Sequence, residues 1–531
     1  MSKEINNIVI VGGGSAGWMS AATMIKAFPN KSITIIEPKN GETIGVGEST
    51  LAWFKRWSTW LGIDEKDFMP STDAVYKLSI KFTDFYKKDS GGFHYPFGNP
   101  YTEGTLQGVS DWYIKKINNP DLPLSDYAET FFPSMALVNQ NKINLNTSGK
   151  LGNFNFKQNA AYHFDATKFA LWLKEKYCIP RGVNLVTDGV ISIETDEDGI
   201  SKLILENNKE ISADLYIDCT GFKSLLLGQS LNEKFEDYGD VLPNNRAWAT
   251  RIPYTDKEKE MEPYTNCTAI ENGWVWNTPS WERIGVGYVY SDKYVSPEGA
   301  LEEFKAHLRS SKMTIPDNNR DVDSYKYRDI KFKIGIYERT WVKNVVAIGL
   351  SAAFIEPLEG NGLFTTHEFL MKLVKSLNRE SYSQWDIDAY NMATKSQFLS
   401  FIEFVGMHYA LSSRDDTKYW RDISKKTFQY KVPALIPNMV HGFQELAYSK
   451  LNNNSYQSDS GVHCIATGLN YLPIDKNTLE EWKIFYDIDY EKELKSSRTF
   501  EKLKKSRESW ELEASNSKSM YQYLKENIYN K

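Results

Sequence analysis

The sequence predicts an α/β protein: a dinucleotide-binding, Rossmann-like sheet interrupted by a β-rich insertion and followed by a mainly helical C-terminal region. Three stretches carry that prediction. The apolar, β-branched run Ile8-Val9-Ile10-Val11 meets Gly12-Gly13-Gly14-Ser15-Ala16-Gly17-Trp18 and then a helical pattern, which reads as strand, tight turn and helix N-terminus. Two later apolar runs, Leu215-Tyr216-Ile217-Asp218 before Cys219-Thr220-Gly221 and Asn344-Val345-Val346-Ala347-Ile348 before Gly349-Leu350, read as returns to the same parallel sheet. After Thr365 the pattern is largely helical.

Gly12, Gly14 and Gly17 occupy the glycine positions of a G-x-G-x-x-G turn. The first permits the turn, the second admits a pyrophosphate to the backbone, and the third lets helix and strand pack closely. The helix opening at Ser15 and Ala16 offers free N–H groups and a partial positive charge to phosphate. Ser32-Ile33-Thr34-Ile35-Ile36 reads as the second strand and ends in Glu37, about twenty residues on, where a carboxylate accepts hydrogen bonds from a ribose hydroxyl. The competing reading is a glycine-rich packing turn; the acid at the right distance favours a bound dinucleotide.

Gly45-Val46-Gly47-Glu48-Ser49-Thr50 follows as a loop whose backbone can lie against a ligand, and a helix is expected from Leu51 to Leu61. Val75 to Phe82 alternates, with Tyr76, Leu78, Ile80 and Phe82 on one face and Lys77, Ser79 and Lys81 on the other. Alone, that pattern is a half-exposed strand with solvated lysines. Residues 90–150 are rich in Gly, Pro, Asn and Tyr and read as an irregular excursion. Asp165 is a candidate N-cap for a helix through Tyr177, and strands are expected near Val183–Val186, Val190–Glu194 and Lys202–Glu206. The expected division is a nucleotide domain within 1–375, built from segments 1–89, 151–234 and 336–375. Substrate-region insertions, 90–150 and 235–335, interleave with it, and a helical region, 376–531, completes the substrate site.

The 531 residues exceed what one compact core accommodates and imply two or three lobes. Aromatics reach 14%, enough for large cores and for a pocket that takes a flat organic molecule. A net charge of −6 argues against a nucleic-acid partner. The cysteines Cys178, Cys219, Cys267 and Cys464 are dispersed, which suits a reducing compartment and suggests neither disulfides nor zinc. The first strand begins almost at Met1 and no run approaches the roughly 18 apolar residues of a membrane span, so the expected location is the cytoplasm. The histidines show no metal spacing and read as hydrogen-bonded structural residues.

The most specific string is Trp274-Val275-Trp276-Asn277-Thr278-Pro279, which places both indoles on one face of a strand. It resembles the W-x-W-x-I-P signature of flavin-dependent halogenases, the tryptophan-halogenase family, with Thr278 where that family has isoleucine. Gly12 to Trp18, Gly45 to Thr50, Tyr162-His163-Phe164-Asp165-Ala166, Ile217 to Gly221 and Ser413-Arg414-Asp415-Asp416-Thr417 are similar to other strings of the family. Assembly of the nucleotide fold from separated segments is also the layout of the related FAD-dependent aromatic hydroxylases. The resemblance implies FAD, used as FADH2, together with O2 and a halide ion. It implies a separate flavin reductase as partner, and no second G-x-G-x-x-G is present for NAD(P)H. It places FAD against Gly12, Gly14, Ser15, Ala16, Gly17, Glu37, Gly45, Val46, Gly47, Glu48 and Gly349. It places the catalytic lysine on Lys77 and the active-site glutamate on Glu359, with Trp274 and Trp276 near flavin and substrate.

Where the family has Ser-Thr-Gly after the glutamate, whose amides hold the halide, this chain has Gly360-Asn361-Gly362. The glycines can still form a nest of N–H groups, and a looser nest favours bromide or iodide over chloride. Tyr95 and Phe97 stand where the family has His and Phe, and the expected clamp tryptophan is replaced near Tyr456 and Gln457. Free L-tryptophan is therefore expected to be a poor substrate, and indoles, phenols or other small electron-rich aromatics better ones. Two other readings stay open: an FAD-dependent monooxygenase that hydroxylates its substrate, and a flavin-binding redox protein without catalysis. No membrane partner is expected, and a homo-oligomer is compatible with everything above.

Overall fold

The computed structural model describes residues 3–39, 48–102, 108–145, 149–310, 313–317, 320–377, 381–429, 460–487 and 489–530. The strands anticipated for the nucleotide fold form one six-stranded sheet. Its order across the sheet is Asn184–Thr187, Ser32–Glu37, Asn7–Val11, Leu215–Asp218, Val345–Ala347 and Trp341–Val342. All neighbours pair in parallel except the last, antiparallel strand. Valine and isoleucine dominate Asn7–Val11, Ser32–Glu37 and Val345–Ala347, which are largely buried, while the edge strand Asn184–Thr187 is partly exposed. The helix Ser15–Ala27 follows the glycine turn and packs against the helix Asn361–Ser376, bringing two helix N-termini, far apart in sequence, into one lobe.

A second, seven-stranded sheet runs Arg328–Lys331, Arg246–Ile252, Ile284–Tyr290, Gly273–Pro279, Tyr264–Ile270, Ser79–Thr83 and Gly92–Pro96. One face packs Ile252, Val275, Val286 and Tyr288 against Ala300, Phe304 and Leu308 of the helix Pro297–Arg309. The opposite face carries Ala247, Ala249, Cys267, Ala269, Trp274 and Trp276 into the main core. Ser79–Thr83 therefore pairs in parallel with Tyr264–Ile270 of segment 235–335, and Gly92–Pro96 adds antiparallel to its other side as the edge strand.

Between Lys77 and Ser79 the chain changes sheets. Val75–Lys77 pairs with Ala161–Phe164, which also pairs with Glu48–Ser49. Leu78 is the joint: its N–H donates to the Pro263 carbonyl at 2.7 Å, and its carbonyl accepts from Phe97 N at 2.8 Å. The half-exposed strand expected here is buried on both sides from Val75 to Ile80, and Lys81 alone among its lysines reaches partial exposure.

The stretch 90–150 is more regular than its composition suggests. Besides Gly92–Pro96 it holds the helices Val109–Asn118, Asp126–Phe131 and Ser134–Asn139. Trp112, Tyr113, Ile114 and Ile117 give the first of these a buried stripe, while glycine and proline gather outside it. Asp165 caps the helix Ala166–Trp172, accepting from Thr167 N and Lys168 N. The C-terminal region is helical, led by Gln384–Ala410 of 27 residues. Among the described residues, no helix is long and apolar enough to cross a membrane.

Candidate active site

The glycine turn is shaped for a phosphate group. A β-carbon on Gly17 would lie 1.8 Å from the Gly12 carbonyl oxygen, so only glycine lets the helix start this close to the strand. At Gly14 the space is open, with no atom within 4 Å of a β-carbon built there. Gly14 is the N-cap of Ser15–Ala27 and no side chain caps that end, which leaves its first N–H groups for an anion. Ser15 Oγ is occupied with the Ala166 carbonyl, and Gly349 packs beside Ala16. Glu37 closes its strand with its carboxylate paired to Lys174. These residues fit a dinucleotide such as FAD. Gly45, Val46 and Gly47 lie outside the described residues, as does the side chain of Glu48.

Lys77 and Glu359 come together in one buried cluster. Lys77 is 0% exposed. Its Nζ donates to Ser49 Oγ at 2.6 Å and to the Thr50 carbonyl at 3.2 Å, and lies 5.0 Å from the centre of the Phe97 ring. Burial pushes its pKa down to about 7, and the nearby Glu359 carboxylate and Cys267 thiol oppose that shift. An amine so held is partly neutral, and thus nucleophilic, near neutral pH.

Glu359 ends the short turn Pro357–Glu359 and is 1% exposed. Its Oε1 lies 2.8 Å from Nε2 of His408, a buried residue of the helix Gln384–Ala410. The approach lacks the alignment of a hydrogen bond. His408 Nδ1 lies 3.0 Å from the Phe404 carbonyl, which only accepts, so Nδ1 carries the hydrogen.

Three residues earlier, Glu356 is buried too and accepts from Asn244 Nδ2 at 2.6 Å. Burial raises its pKa, against the opposing pull of Asn244, Tyr409 and the Trp274 indole. The Trp274 N–H faces Glu356 without the alignment of a complete hydrogen bond. Trp274 and Trp276 share one face of their strand with ring centres 6.3 Å apart.

Gly360 adopts φ +64, a left-handed conformation, and caps the helix Asn361–Ser376. A left-handed residue followed by helical ones turns successive N–H groups inward, which is an anion nest. The Asn361 side chain there is buried with neither polar atom hydrogen-bonded. No atom lies within 4 Å of a β-carbon built on Gly362, and one built on Gly360 would come 3.0 Å from the Ser49 carbonyl oxygen. The nest therefore adjoins the segment that holds Lys77.

Tyr95 and Phe97 cross edge-to-face at 5.9 Å, Tyr95 meets Phe404 at 6.0 Å, and Phe404 meets His408 at 5.5 Å. This aromatic line joins Lys77 to Glu359. Tyr456 and Gln457 lie outside the described residues. The cluster also contains residues to which the sequence assigned no role: Ser49, His163, Thr265, Glu356, Phe404 and His408. Two histidines read as hydrogen-bonded structural residues lie in it: His163 Nε2 is 2.8 Å from Thr265 Oγ1, and His408 Nε2 is 2.8 Å from Glu359 Oε1. Nothing local marks them, because the strand pairings and helix packing that bring them in are long-range.

The tryptophan halogenase family model matches residues 7–481. The chain is 33% identical over 442 residues to the tryptophan 6-halogenase SttH of Streptomyces toxytricini, covering 79% of this chain and 81% of that protein. Among solved structures it is similar to VirX1 in its apo form, with 34% identity, a TM-score of 0.87 and coverage of 99% and 100% of the two chains. It is also similar to Xcc4156, a flavin-dependent halogenase from Xanthomonas campestris, with 25% identity, a TM-score of 0.81 and coverage of 99% and 98%. The family uses FADH2 from a separate reductase together with halide and O2, and this chain belongs to it: it is a flavin-dependent halogenase of the tryptophan halogenase family.

Proposed function

We propose that this enzyme halogenates an indole or similarly electron-rich aromatic, with Lys77 presenting hypohalous acid to the ring and Glu359 receiving the ring proton. The supporting observation is the single buried cluster in which a lysine with a weakened hold on its proton faces a carboxylate. Bound FADH2 supplies the electrons with which O2 oxidises the halide to hypohalous acid. Ring electrons then take the halogen from that acid as its halogen–oxygen bond breaks. Lys77 gives a proton to the departing oxygen, forming water, and Glu359 accepts the proton that leaves the cationic ring. The uncapped turn around Gly14 would hold the pyrophosphate, and the Gly360-Asn361-Gly362 nest would hold the halide.

SttH is named for tryptophan, which favours an indole and gives no support to excluding free tryptophan. The substitutions at Tyr95 and in the halide nest are the grounds for expecting a substrate other than free tryptophan, and bromide ahead of chloride. The four cysteines, all buried and none in a disulfide, accord with action in the cytoplasm.

The test is an assay with FAD, a flavin reductase, NADH and O2, run separately with chloride, bromide and iodide. Free tryptophan, other indoles and phenols are followed by mass. A halogen mass shift absent in Lys77→Ala and retained in Lys81→Ala is expected. A gain of one oxygen would make the enzyme a hydroxylase, and equal turnover of chloride and bromide would remove the halide preference.

A further inference from the structure

Lys77 is one end of a buried hydrogen-bonded chain whose first link, Ser49, lies beside Gly360. Its ammonium donates to Ser49 Oγ at 2.6 Å. Ser49 Oγ lies 3.0 Å from Thr265 Oγ1, which lies 2.8 Å from Nε2 of His163. Four separate segments meet here. Ser49 and His163 sit opposite each other in the three-stranded sheet that also carries Lys77, and Thr265 comes from the seven-stranded sheet. His163 is 0% exposed.

The chain has a direction. His163 Nδ1 faces the Pro279 carbonyl, although the bond is not fully aligned, and a carbonyl only accepts. Nδ1 therefore carries the hydrogen and Nε2 is left as an acceptor. Thr265 then donates to Nε2 and accepts from Ser49, whose free lone pair faces Lys77. Each hydroxyl gives one hydrogen and takes one, so no link is frustrated.

We propose that Ser49, Thr265 and His163 form a proton relay that ends on Lys77, through which the lysine sheds and recovers its proton without access to bulk water. In one passage, Lys77 gives a proton to Ser49 as Ser49 gives its own to Thr265 and Thr265 gives its own to Nε2. The products are a neutral amine and an imidazolium; both hydroxyls are restored and the total charge is unchanged. The reverse passage returns that same proton from His163 to Lys77, which then gives it to the departing oxygen; the relay carries one proton and supplies no second. The proposal rests on Lys77 acting as described above.

The surroundings suit such an exchange. The ionisable groups facing Lys77 are Glu359, Cys267 and, through the hydroxyls, His163. Burial, and then the charge of Lys77, hold the His163 pKa well below the usual range for histidine, against the pull of the Pro279 carbonyl. The second of these effects vanishes when Lys77 gives up its proton, while burial, the larger, remains, so His163 holds the proton only in passing. His163 serves as a transient acceptor, and it is a positioning residue because it acts through the hydroxyls.

The test uses the full-length protein with lysine labelled at 13Cε, titrated by NMR; the resonance lost in Lys77→Arg is that of Lys77. A midpoint near 7 is expected for the wild type. In Thr265→Val the Ser49 hydroxyl loses its acceptor and no longer keeps its lone pair on the ammonium. The midpoint is expected to fall by about half a unit or more, and Thr265→Ser to restore it. In His163→Gln an acceptor remains but a proton cannot be taken up. There the midpoint is expected to stay within about half a unit while kcat for halogenation falls by about tenfold or more, with KM for the aromatic unchanged. A wild-type midpoint in Thr265→Val, equal shifts in the valine and serine variants, or wild-type kcat in His163→Gln would overturn the relay. Halogenation by Lys77→Ala would instead overturn the role of Lys77 itself, a result the titration does not depend on.

Discussion

A fully buried lysine whose proton is held only to about pH 7 works against the stability of the fold that contains it. In the unfolded chain the same amine holds its proton to about pH 10.4. Between those two values the unfolded state binds more protons, so the Lys77 contribution to stability rises with pH across the window and is least favourable below pH 7. A displacement of this size is on the order of 4 kcal/mol. Lys77→Met is therefore expected to melt higher than the wild type at pH 6, to lose that advantage toward pH 10, and to lack halogenation. Thermal unfolding of both proteins at the two pH values checks this; a constant difference in Tm would mean that the lysine titrates normally. At this scale the sequence spoke unevenly. Glu359, Gly360 and the tryptophan pair stand in strings specific enough to locate. The alternation from Val75 to Phe82 shows that Lys77 and Tyr76 oppose each other, but assigns the lysine to a solvated face. Its burial comes from Ala161–Phe164 and Tyr264–Ile270, and local pattern does not say which distant strand will cover a face.

The elements were legible in proportion to how local their causes are. Apolar runs that end in glycine turns announce the strands of the six-stranded sheet, because strand, turn and helix start are contiguous there. The seven-stranded sheet was harder, since Ser79–Thr83 pairs in parallel with a strand that arrives much later in the chain. The same sheet shows how the tryptophan pair is seated. Trp276 stands opposite Gly287 in the neighbouring strand, and a β-carbon on Gly287 would come within 2.1 Å of the indole ring. A backbone oxygen of Trp248 closes the other side at 2.7 Å from that β-carbon, so the added methyl has nowhere to go and the indole must move. Gly287→Ala is expected to cost about 1–3 kcal/mol and to change the tryptophan fluorescence as Trp276 moves against Trp274. Unaltered denaturant unfolding and an unaltered spectrum would show that the indole has room that the close contacts deny.

Over the whole molecule, the site depends on a fastening that no local pattern reveals. Tyr529, almost at the end of the described chain, stacks on Trp281 with ring centres 3.9 Å apart and planes 6° from parallel. Its hydroxyl is shared between the Ala74 carbonyl at 2.7 Å and the Met69 carbonyl at 3.0 Å. Trp281 is itself tied by its backbone N–H to the Asp73 carbonyl at 2.8 Å, and Tyr521 stacks on the same indole. The last helical segment thus grips the turn that feeds directly into Val75–Lys77. The two parts of the grip can be separated. Tyr529→Phe keeps the stack and removes the shared hydrogen bond, while the Met69 carbonyl still accepts from Ala74 N, at a cost of about 1 kcal/mol. Tyr529→Ala removes the ring as well, at a cost of about 3–4 kcal/mol. If the grip positions the strand, halogenation at a temperature where both variants remain folded should fall in the same order, with flavin binding at the distant glycine turn unchanged. An alanine variant that melts later than the phenylalanine variant, or one that loses flavin as readily as activity, would mean that the C-terminal segment stabilises the molecule generally and does not act through the strand that carries Lys77.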